Sequence, residues 1–157
     1  MTGEQTRTAL ARFYEALARR DVDTMAAAYA MDAAFNDPVF RLRGPEIGRM
    51  WQALLGRARE FSVDWEIRSA EPDRGEVAWT ARYLFGGKRP VVNVIESDVR
   101  FRDGLIVQQT DRFDFPHWAG QALGAPGRML GRFEWFRRSV ARRARRGIGL
   151  HEAGSVN

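Results

Sequence analysis

The chain has 157 residues, of which 45% are hydrophobic and 29% charged, a composition typical of one globular domain with a single substantial core. It contains no cysteine and only two histidines, His117 and His151, which excludes disulfides and thiolate chemistry and leaves no ligand spacing for a metal site. No apolar stretch approaches the length of a membrane span and no secretion signal is recognisable, so we expect a cytoplasmic protein without membrane insertion.

Three helices are predicted in the first half of the chain. Apolar residues recur at helical spacing over residues 4–20, and Asp21 is suited to cap a second short helix that extends to Tyr29. Pro45 fits the first turn of a third helix, which carries an apolar stripe over residues 47–58.

A short extended segment over residues 34–40 separates the second and third helices. It contains Asp37 immediately before Pro38, and the residue before a proline is pushed toward extended geometry. We therefore expect Asp37 on a strand or in a turn.

Four strands with period-two alternation are predicted in the second half. Their inward positions run from Phe61 to Ile67, from Val77 to Phe85, from Val91 to Phe101 and from Leu105 to Phe115. Short links rich in turn residues favour hairpins, and hence an antiparallel meander. Strands that follow a helical block predict an α+β fold, with helices covering one face of the sheet.

The C-terminal part returns to helical spacing over residues 116–146, with an interruption at Gly124-Ala125-Pro126-Gly127. We assign residues 1–146 to a single domain and expect residues 147–157 to form a flexible tail.

The net charge of +5 is concentrated in this C-terminal helix. Six arginines crowd one short segment: Arg137, Arg138, Arg142, Arg143, Arg145 and Arg146. The helix could bind phosphate backbones or anionic lipid, or it could present a solvated face whose cations suit a helix C-terminus. Because no nucleic-acid-binding motif accompanies it, we do not expect a nucleic-acid partner.

The last strand places a carboxylate where the core should be. Its odd positions, from Leu105 through Gln109 and Asp111 to Phe113, form the predicted inward face, while Ile106 and the other even positions face solvent. A buried carboxylate is costly unless it is hydrogen-bonded or paired, so Asp111 either takes part in chemistry or has partners built around it.

Other polar residues share this inward face and predict a small-molecule site. The polar set is Asn93, Ser97, Gln109 and Asp111, with Asp37 joining if its segment packs at the cavity mouth. The apolar walls and further substrate contacts are expected from Tyr14, Phe40, Trp51, Trp79, Tyr83 and Phe113. Burial raises the pKa of a carboxyl group, which makes Asp37 and Asp111 candidate general acids or bases near neutral pH. The alternative is structural: each polar group satisfies a neighbour, and Asp37 is a turn residue.

Three segments resemble the nuclear transport factor 2-like superfamily, which includes SnoaL-like polyketide cyclases, ketosteroid isomerases and limonene-epoxide hydrolase. They are residues 29–38, residues 43–47 and the segment from Phe101-Arg102-Asp103-Gly104 to Asp111-Arg112-Phe113-Asp114. The resemblance implies a cone made by a curved antiparallel sheet wrapped over N-terminal helices, to which this chain adds a basic C-terminal helix. It also implies a deep pocket and a homodimer formed through the sheet.

Functional residues carry over only in part. Asp37 falls where ketosteroid isomerases keep their base, while Phe13 and Ser97 fall at the oxyanion-hole positions. Asp111 matches one of the two aspartates of the epoxide hydrolase, but Leu84 takes the place of the other.

Gln109 stands where many SnoaL-like relatives have a histidine. Two hypotheses follow. The first is an enzyme without a cofactor that performs acid/base chemistry on a small apolar molecule, with Asp37 and Asp111 as the acid/base groups. The second is a non-catalytic ligand-binding or assembly module of the same fold.

Overall fold

The computed structural model describes residues 1–149 and contains six helices and six strands within that range. The helices are α1 (Gly3–Arg19), α2 (Val22–Ala27), α3 (Pro45–Arg57), α4 (Phe115–Leu123), α5 (Ala125–Leu130) and α6 (Glu134–Gly147). The strands are β1 (Tyr29–Asn36), β2 (Arg41–Arg43), β3 (Arg59–Glu71), β4 (Arg74–Phe85), β5 (Arg89–Arg102) and β6 (Leu105–Arg112). The predicted α+β class is confirmed.

The first three helices begin as their sequences predict, but the second ends earlier. The Asp21 side chain caps α2 by accepting a hydrogen bond from the backbone N–H of Thr24, and Pro45 occupies the first turn of α3. The prediction that Tyr29 lies in the second helix is wrong. Tyr29 begins β1, because it pairs with Ile106 of β6 and its ring is buried in the core.

The sheet has the strand order β2-β1-β6-β5-β4-β3. Strands β3 to β6 form the predicted antiparallel meander. β1 adds to the edge of β6 in parallel, a pairing that the sequence analysis did not predict. A parallel pair needs a long crossover, and here the whole segment from β2 to β5 provides it.

A β-bulge in β6 makes the predicted alternation wrong for the first residues of this strand. The register between β5 and β6 shifts at Val107, so that Ile106 is 1% exposed and Leu105 is 40% exposed, the reverse of the prediction. Beyond the bulge the predicted parity holds, and Gln109 and Asp111 point inward.

β6 also ends before the predicted limit of residue 115. The Asp114 carboxylate caps α4 by accepting a hydrogen bond of 3.0 Å from the backbone N–H of His117, and Phe115 is the first residue of that helix.

The core lies between the inner face of the sheet and the apolar faces of α1 and α3. The helical contribution is Leu10, Phe13, Tyr14, Leu17, Ile47, Met50, Trp51 and Leu55. Gly75 of β4 allows α1 to approach the sheet closely, because a Cβ at that position would lie 2.4 Å from Cδ1 of Leu10.

The N-terminal part of β5 extends beyond the end of β6, and α4 covers this part. The Gln121 side chain accepts a hydrogen bond from the Val92 N–H at 2.8 Å and donates one to the Val92 carbonyl at 3.0 Å. Its amide group therefore takes the place of a neighbouring strand at this edge.

The predicted interruption near Gly124 separates α4 from α5. Gly147 is the last residue of α6 and Ile148 packs against the core, while the remainder of the expected tail, residues 150–157 with His151, lies outside the described residues. In residues 1–149, no helix combines the length and apolar character that a membrane span requires. The assignment of residues 1–146 to a single domain stays a prediction.

Candidate active site

A cavity of about 690 Å³ opens between the inner face of the sheet, α3 and α6. Most of its wall is apolar and includes Phe35, Phe40, Met50, Trp51, Trp79, Ile95, Phe113, Trp118, Phe136 and Val140. Its polar residues include the buried Asn93 and Asp111 and the half-buried Asp37 and Tyr83, while the exposed Arg57 and Arg143 also line the cavity. A mainly apolar cavity with a few convergent polar groups is the usual form of a small-molecule site.

Asp111 presents one carboxylate oxygen to this cavity and uses the other for support. Its Oδ1 accepts hydrogen bonds from Ser97 Oγ at 2.6 Å and from Gln109 Nε2 at 3.0 Å. No donor in residues 1–149 binds Oδ2, although the residue is only 4% exposed. Burial raises the pKa of Asp111 to about 6, and the hydrogen bonds from Ser97 and Gln109 limit that rise.

The two donors to Asp111 are themselves held by buried aromatic residues. Trp79 Nε1 donates to Ser97 Oγ at 2.8 Å, which orients the hydroxyl proton toward Asp111. The Tyr29 hydroxyl donates to Gln109 Oε1 at 2.6 Å, which directs the Gln109 amide nitrogen toward the same carboxylate.

Trp51 Nε1 completes the arrangement by donating to the Tyr29 oxygen at 3.1 Å. Burial raises the pKa of Tyr29 well above its ordinary value, so the phenol keeps its proton and remains a donor. The position of the Asp111 carboxylate is therefore set by a continuous buried network.

Asp37 follows β1 and folds its side chain back onto the next turn. Its Oδ1 accepts hydrogen bonds of 2.6 Å from the backbone N–H groups of both Val39 and Phe40. This is an Asx turn of the kind that aspartate favours before proline. The other oxygen is left for the cavity, and burial there raises the pKa of Asp37 to about 7.

Strand pairing brings the two carboxyl groups to one place. Asn36 pairs with Thr110 across the parallel β1–β6 contact, so the next residues along, Asp37 and Asp111, lie at neighbouring positions on the same face. The charge of Asp111 contributes to the raised pKa of Asp37. The two groups therefore titrate as a coupled pair.

Two uncharged polar groups face the same space. The Asn93 side chain lines the cavity and makes no hydrogen bond within the described residues. The Tyr83 oxygen accepts a hydrogen bond from Trp118 Nε1 at 2.9 Å, which leaves its own proton available, and burial raises the pKa of Tyr83. Tyr83 pairs with Val91 and Ala81 with Asn93, so these two donors are diagonal neighbours across β4 and β5.

The structure separates the predicted site residues into two groups. The cavity wall contains Asp37, Phe40, Trp51, Trp79, Tyr83, Asn93, Asp111 and Phe113. Ser97 and Gln109 lie behind Asp111 and hold it instead of lining the wall. Tyr14 is also behind the wall, and its buried hydroxyl, near Ser97, makes no hydrogen bond within residues 1–149.

Sequence reasoning missed Tyr29 and the contribution of α6. Tyr29 matched the helical spacing of the preceding residues, so no local signal marked it as a strand residue. Phe136, Val140 and Ala144 line the cavity from α6, and their spacing of four residues was a usable sign of a helix face directed at the protein.

A family model for the SnoaL-like domain matches residues 10–109. The chain belongs to the SnoaL-like family. The match includes β1 to β5 and β6 as far as Gln109, and it stops before Asp111 and the C-terminal helices. No curated protein sequence matches this SnoaL-like chain significantly.

Solved structures share the fold of this SnoaL-like protein. A candidate polyketide cyclase from Silicibacter sp. is 21% identical with a TM-score of 0.66, and the alignment covers 77% of this chain and 97% of that one. An LEH-like epoxide hydrolase from Mycobacterium tuberculosis is 24% identical with a TM-score of 0.62, over 82% of this chain and 95% of that one.

A protein from Catenulispora acidiphila with a ketosteroid isomerase-like fold, crystallised with trimethylamine, is 15% identical with a TM-score of 0.65, over 76% of this chain and 95% of that one. At these identities the likeness establishes the cone-shaped fold and leaves the chemistry to the site itself. Within residues 1–149, no group of three or more histidine or acidic side chains is arranged to hold a metal ion.

Proposed function

We propose that this SnoaL-like protein is an enzyme that needs no cofactor and acts on a small apolar molecule through Asp37 and Asp111. The observation that carries the proposal is the pair of carboxyl groups, both with raised pKa, that face one largely apolar cavity. The reactions that such a pair supports are isomerisation, cyclisation or hydration of a carbonyl or epoxide substrate.

The different environments of the two carboxyl groups support different roles for them. With a pKa of about 6, Asp111 is mostly ionised at pH 7 and serves as the base that takes a proton from substrate or water. With a pKa of about 7, Asp37 is protonated in about half of the molecules and serves as the acid that returns a proton to the substrate. Each turnover leaves Asp111 protonated and Asp37 ionised, and exchange of one proton from Asp111 to Asp37 through solvent restores both groups.

The substrate oxygen would be held by Asn93 and Tyr83. Asn93 Nδ2 and the Tyr83 hydroxyl are donors without acceptors in the described residues, and both face the cavity. Donors that are already oriented stabilise negative charge as it develops on a carbonyl or epoxide oxygen. Trp51, Trp79 and Phe113 would contact the apolar part of the molecule.

A second candidate is a non-catalytic ligand-binding or assembly module. It is favoured by Gln109, whose amide is held between Tyr29 and Asp111 and cannot transfer a proton as the histidine of many relatives could. In this case the cavity would bind an apolar ligand without turnover.

The test incubates the protein in deuterated water with a panel of small ketones and epoxides. NMR measures the deuterium incorporated into each compound and its conversion to product. Asp37→Asn and Asp111→Asn should each reduce solvent deuterium incorporation or hydrolysis at least 100-fold. Asp64→Asn, which changes an exposed aspartate on the outer face of the sheet, is the matched control and should leave the rate unchanged.

Survival of turnover in both cavity variants would refute the acid/base assignment. Tight binding of a panel member that the unmodified protein neither exchanges nor converts would instead support the binding module. The rate should depend on pH with two apparent pKa values near 6 and 7, which belong to the pair and not to either residue.

The homodimer stays a prediction. The outer face of the sheet exposes Val92 and Val94 on β5, a surface through which a second copy could pack. Light scattering on the purified protein would give the mass in solution, and a monomer would contradict the prediction.

A further inference from the structure

The C-terminal helices have a charge that the rest of the chain does not share. Of the 25 basic residues of the chain, eight arginines lie in residues 125–149 beside one acidic residue, Glu134, so acidic residues outnumber basic ones elsewhere. This segment also lies beyond residues 10–109, which the family model matches. Its features therefore lie outside the part of the chain by which the family is recognised.

α6 has an inner and an outer side with different chemistry. Phe136, Val140 and Ala144 line the cavity on the inner side. Arg145 also reaches back to the protein, where it donates to the Arg41 carbonyl at 3.1 Å and lies 3.6 Å from a Glu46 carboxylate oxygen. These contacts orient the helix over the cavity.

The outer side presents one exposed stripe. Trp135, Arg138, Arg142 and Arg146 follow one another at spacings of three or four residues, which places them on one helix face. Arg138 pairs with Glu134, but in residues 1–149 no acidic side chain pairs with Arg142 or Arg146.

An aromatic pair lies at the start of this stripe. The rings of Phe133 and Trp135 stack with centroids 6.3 Å apart, and these residues are 43% and 60% exposed. The guanidinium of Arg132 lies 5.6 Å from the Phe133 ring centre. Large aromatic groups beside arginines are costly to leave in water and are suited to the boundary between lipid headgroups and acyl chains.

We propose that the outer face formed by Phe133, Trp135, Arg138, Arg142 and Arg146 docks this protein on a lipid surface with anionic headgroups. The positive charge of this face complements phosphate headgroups. Phosphate contacts alone would not require exposed aromatic rings, whereas insertion at a lipid surface accounts for Phe133 and Trp135. The helix would lie in the interface and would not cross the bilayer.

The position of α6 favours lipid over nucleic acid as the partner. The helix that carries this outer face also forms a wall of the apolar cavity, so docking on lipid would place the cavity next to the phase in which apolar molecules concentrate. Nucleic acid would offer phosphates to the arginines but would not supply apolar molecules to the cavity.

The test is co-sedimentation of the full chain with vesicles of phosphatidylcholine, alone or mixed with phosphatidylglycerol. We expect binding only to the mixed vesicles, with loss of binding at high salt. The double variant Arg142→Gln/Arg146→Gln should weaken binding about 30-fold, since each arginine near an anionic surface contributes about fivefold. Trp135→Ser should weaken it about tenfold.

The matched control is Arg68→Gln/Arg100→Gln, which removes the same charge from exposed positions on the outer face of the sheet. It should retain the affinity of the unmodified protein, and unchanged circular dichroism should accompany every variant. The proposal is overturned by equal binding to neutral vesicles, by no binding to either vesicle, or by equal losses in the two double variants. Competition by single- or double-stranded DNA at concentrations below those at which vesicles bind would also overturn it, in favour of a nucleic-acid surface.

Discussion

Asp111 should make the folded protein less stable at neutral pH, so Asp111→Asn should stabilise it. Burial raises the pKa of this carboxyl from 3.8 to about 6 in the folded state. At a pH above both values the ionised group therefore opposes folding by about 3 kcal/mol, which the neutral amide removes. The Asn oxygen can still accept the hydrogen bonds from Ser97 and Gln109, while its amide nitrogen faces the cavity.

The direction of the pH dependence follows from the raised pKa. The folded state binds the Asp111 proton more tightly than the unfolded state does, so lowering the pH through 6 toward 3.8 stabilises the unmodified protein. The advantage of Asp111→Asn should be fully present at pH 8 and should fall to about 1 kcal/mol at pH 4.5.

Urea unfolding of both proteins at pH 8 and pH 4.5 measures the two differences directly. In a thermal scan at pH 8 the melting temperature of Asp111→Asn should be higher by roughly 6 to 12 °C for a chain of this size. Asp64→Asn, at an exposed position, should change the free energy of unfolding by less than about 0.5 kcal/mol at either pH. A destabilised Asp111→Asn protein at pH 8, or a difference that does not vary with pH, would refute the reasoning.

Three further experiments probe the packing and hydrogen bonding of the fold and the site. Gln121→Ala should lower the free energy of unfolding by about 1 kcal/mol in urea, because it removes both side-chain hydrogen bonds to the β5 edge; no change would show that water replaces them fully. Leu10→Ala should lower the free energy of unfolding by about 2–5 kcal/mol. Gly75→Ala should lower it less in the Leu10→Ala protein than in the unmodified protein, since Leu10 is the side chain that the new Cβ would meet. Additive losses in this double-mutant cycle would contradict the contact. Trp79→Phe should raise the pKa of Asp111, seen as an upward shift of the pH–rate profile or of the carboxyl NMR titration, because the Ser97 hydroxyl loses its orienting donor; an unmoved titration would contradict the role given to the network.

Local sequence patterns correctly predicted the strands whose buried residues alternate with the period of the strand, and the helices whose first residues carry a cap or a proline. The alternation in β3, β4 and β5 predicted which residues point inward, because each of these strands has one face on the core and one in water. Asp21 and Pro45 marked the starts of α2 and α3 because capping and N-terminal proline act within one turn of helix.

Patterns failed where a distant partner decides the geometry. Tyr29 is a strand residue because β6, far along the chain, accepts it as a parallel neighbour, and its own surroundings read as helix. The bulge at Val107 exchanged the faces of Leu105 and Ile106, and an insertion of this kind depends on the register with β5.

The candidate site shows the same division. The sequence alone predicts that the side chains of Gln109 and Asp111 point inward, and it places a carboxylate on an otherwise apolar strand face. That Gln109 serves as a support, that Asp37 lies beside Asp111, and that α6 closes one wall of the cavity were decided by contacts between segments far apart in the chain. The physical reason is that alternation and capping are set by neighbours a few residues away, whereas a cavity and the pKa values inside it exist only once distant elements have excluded water.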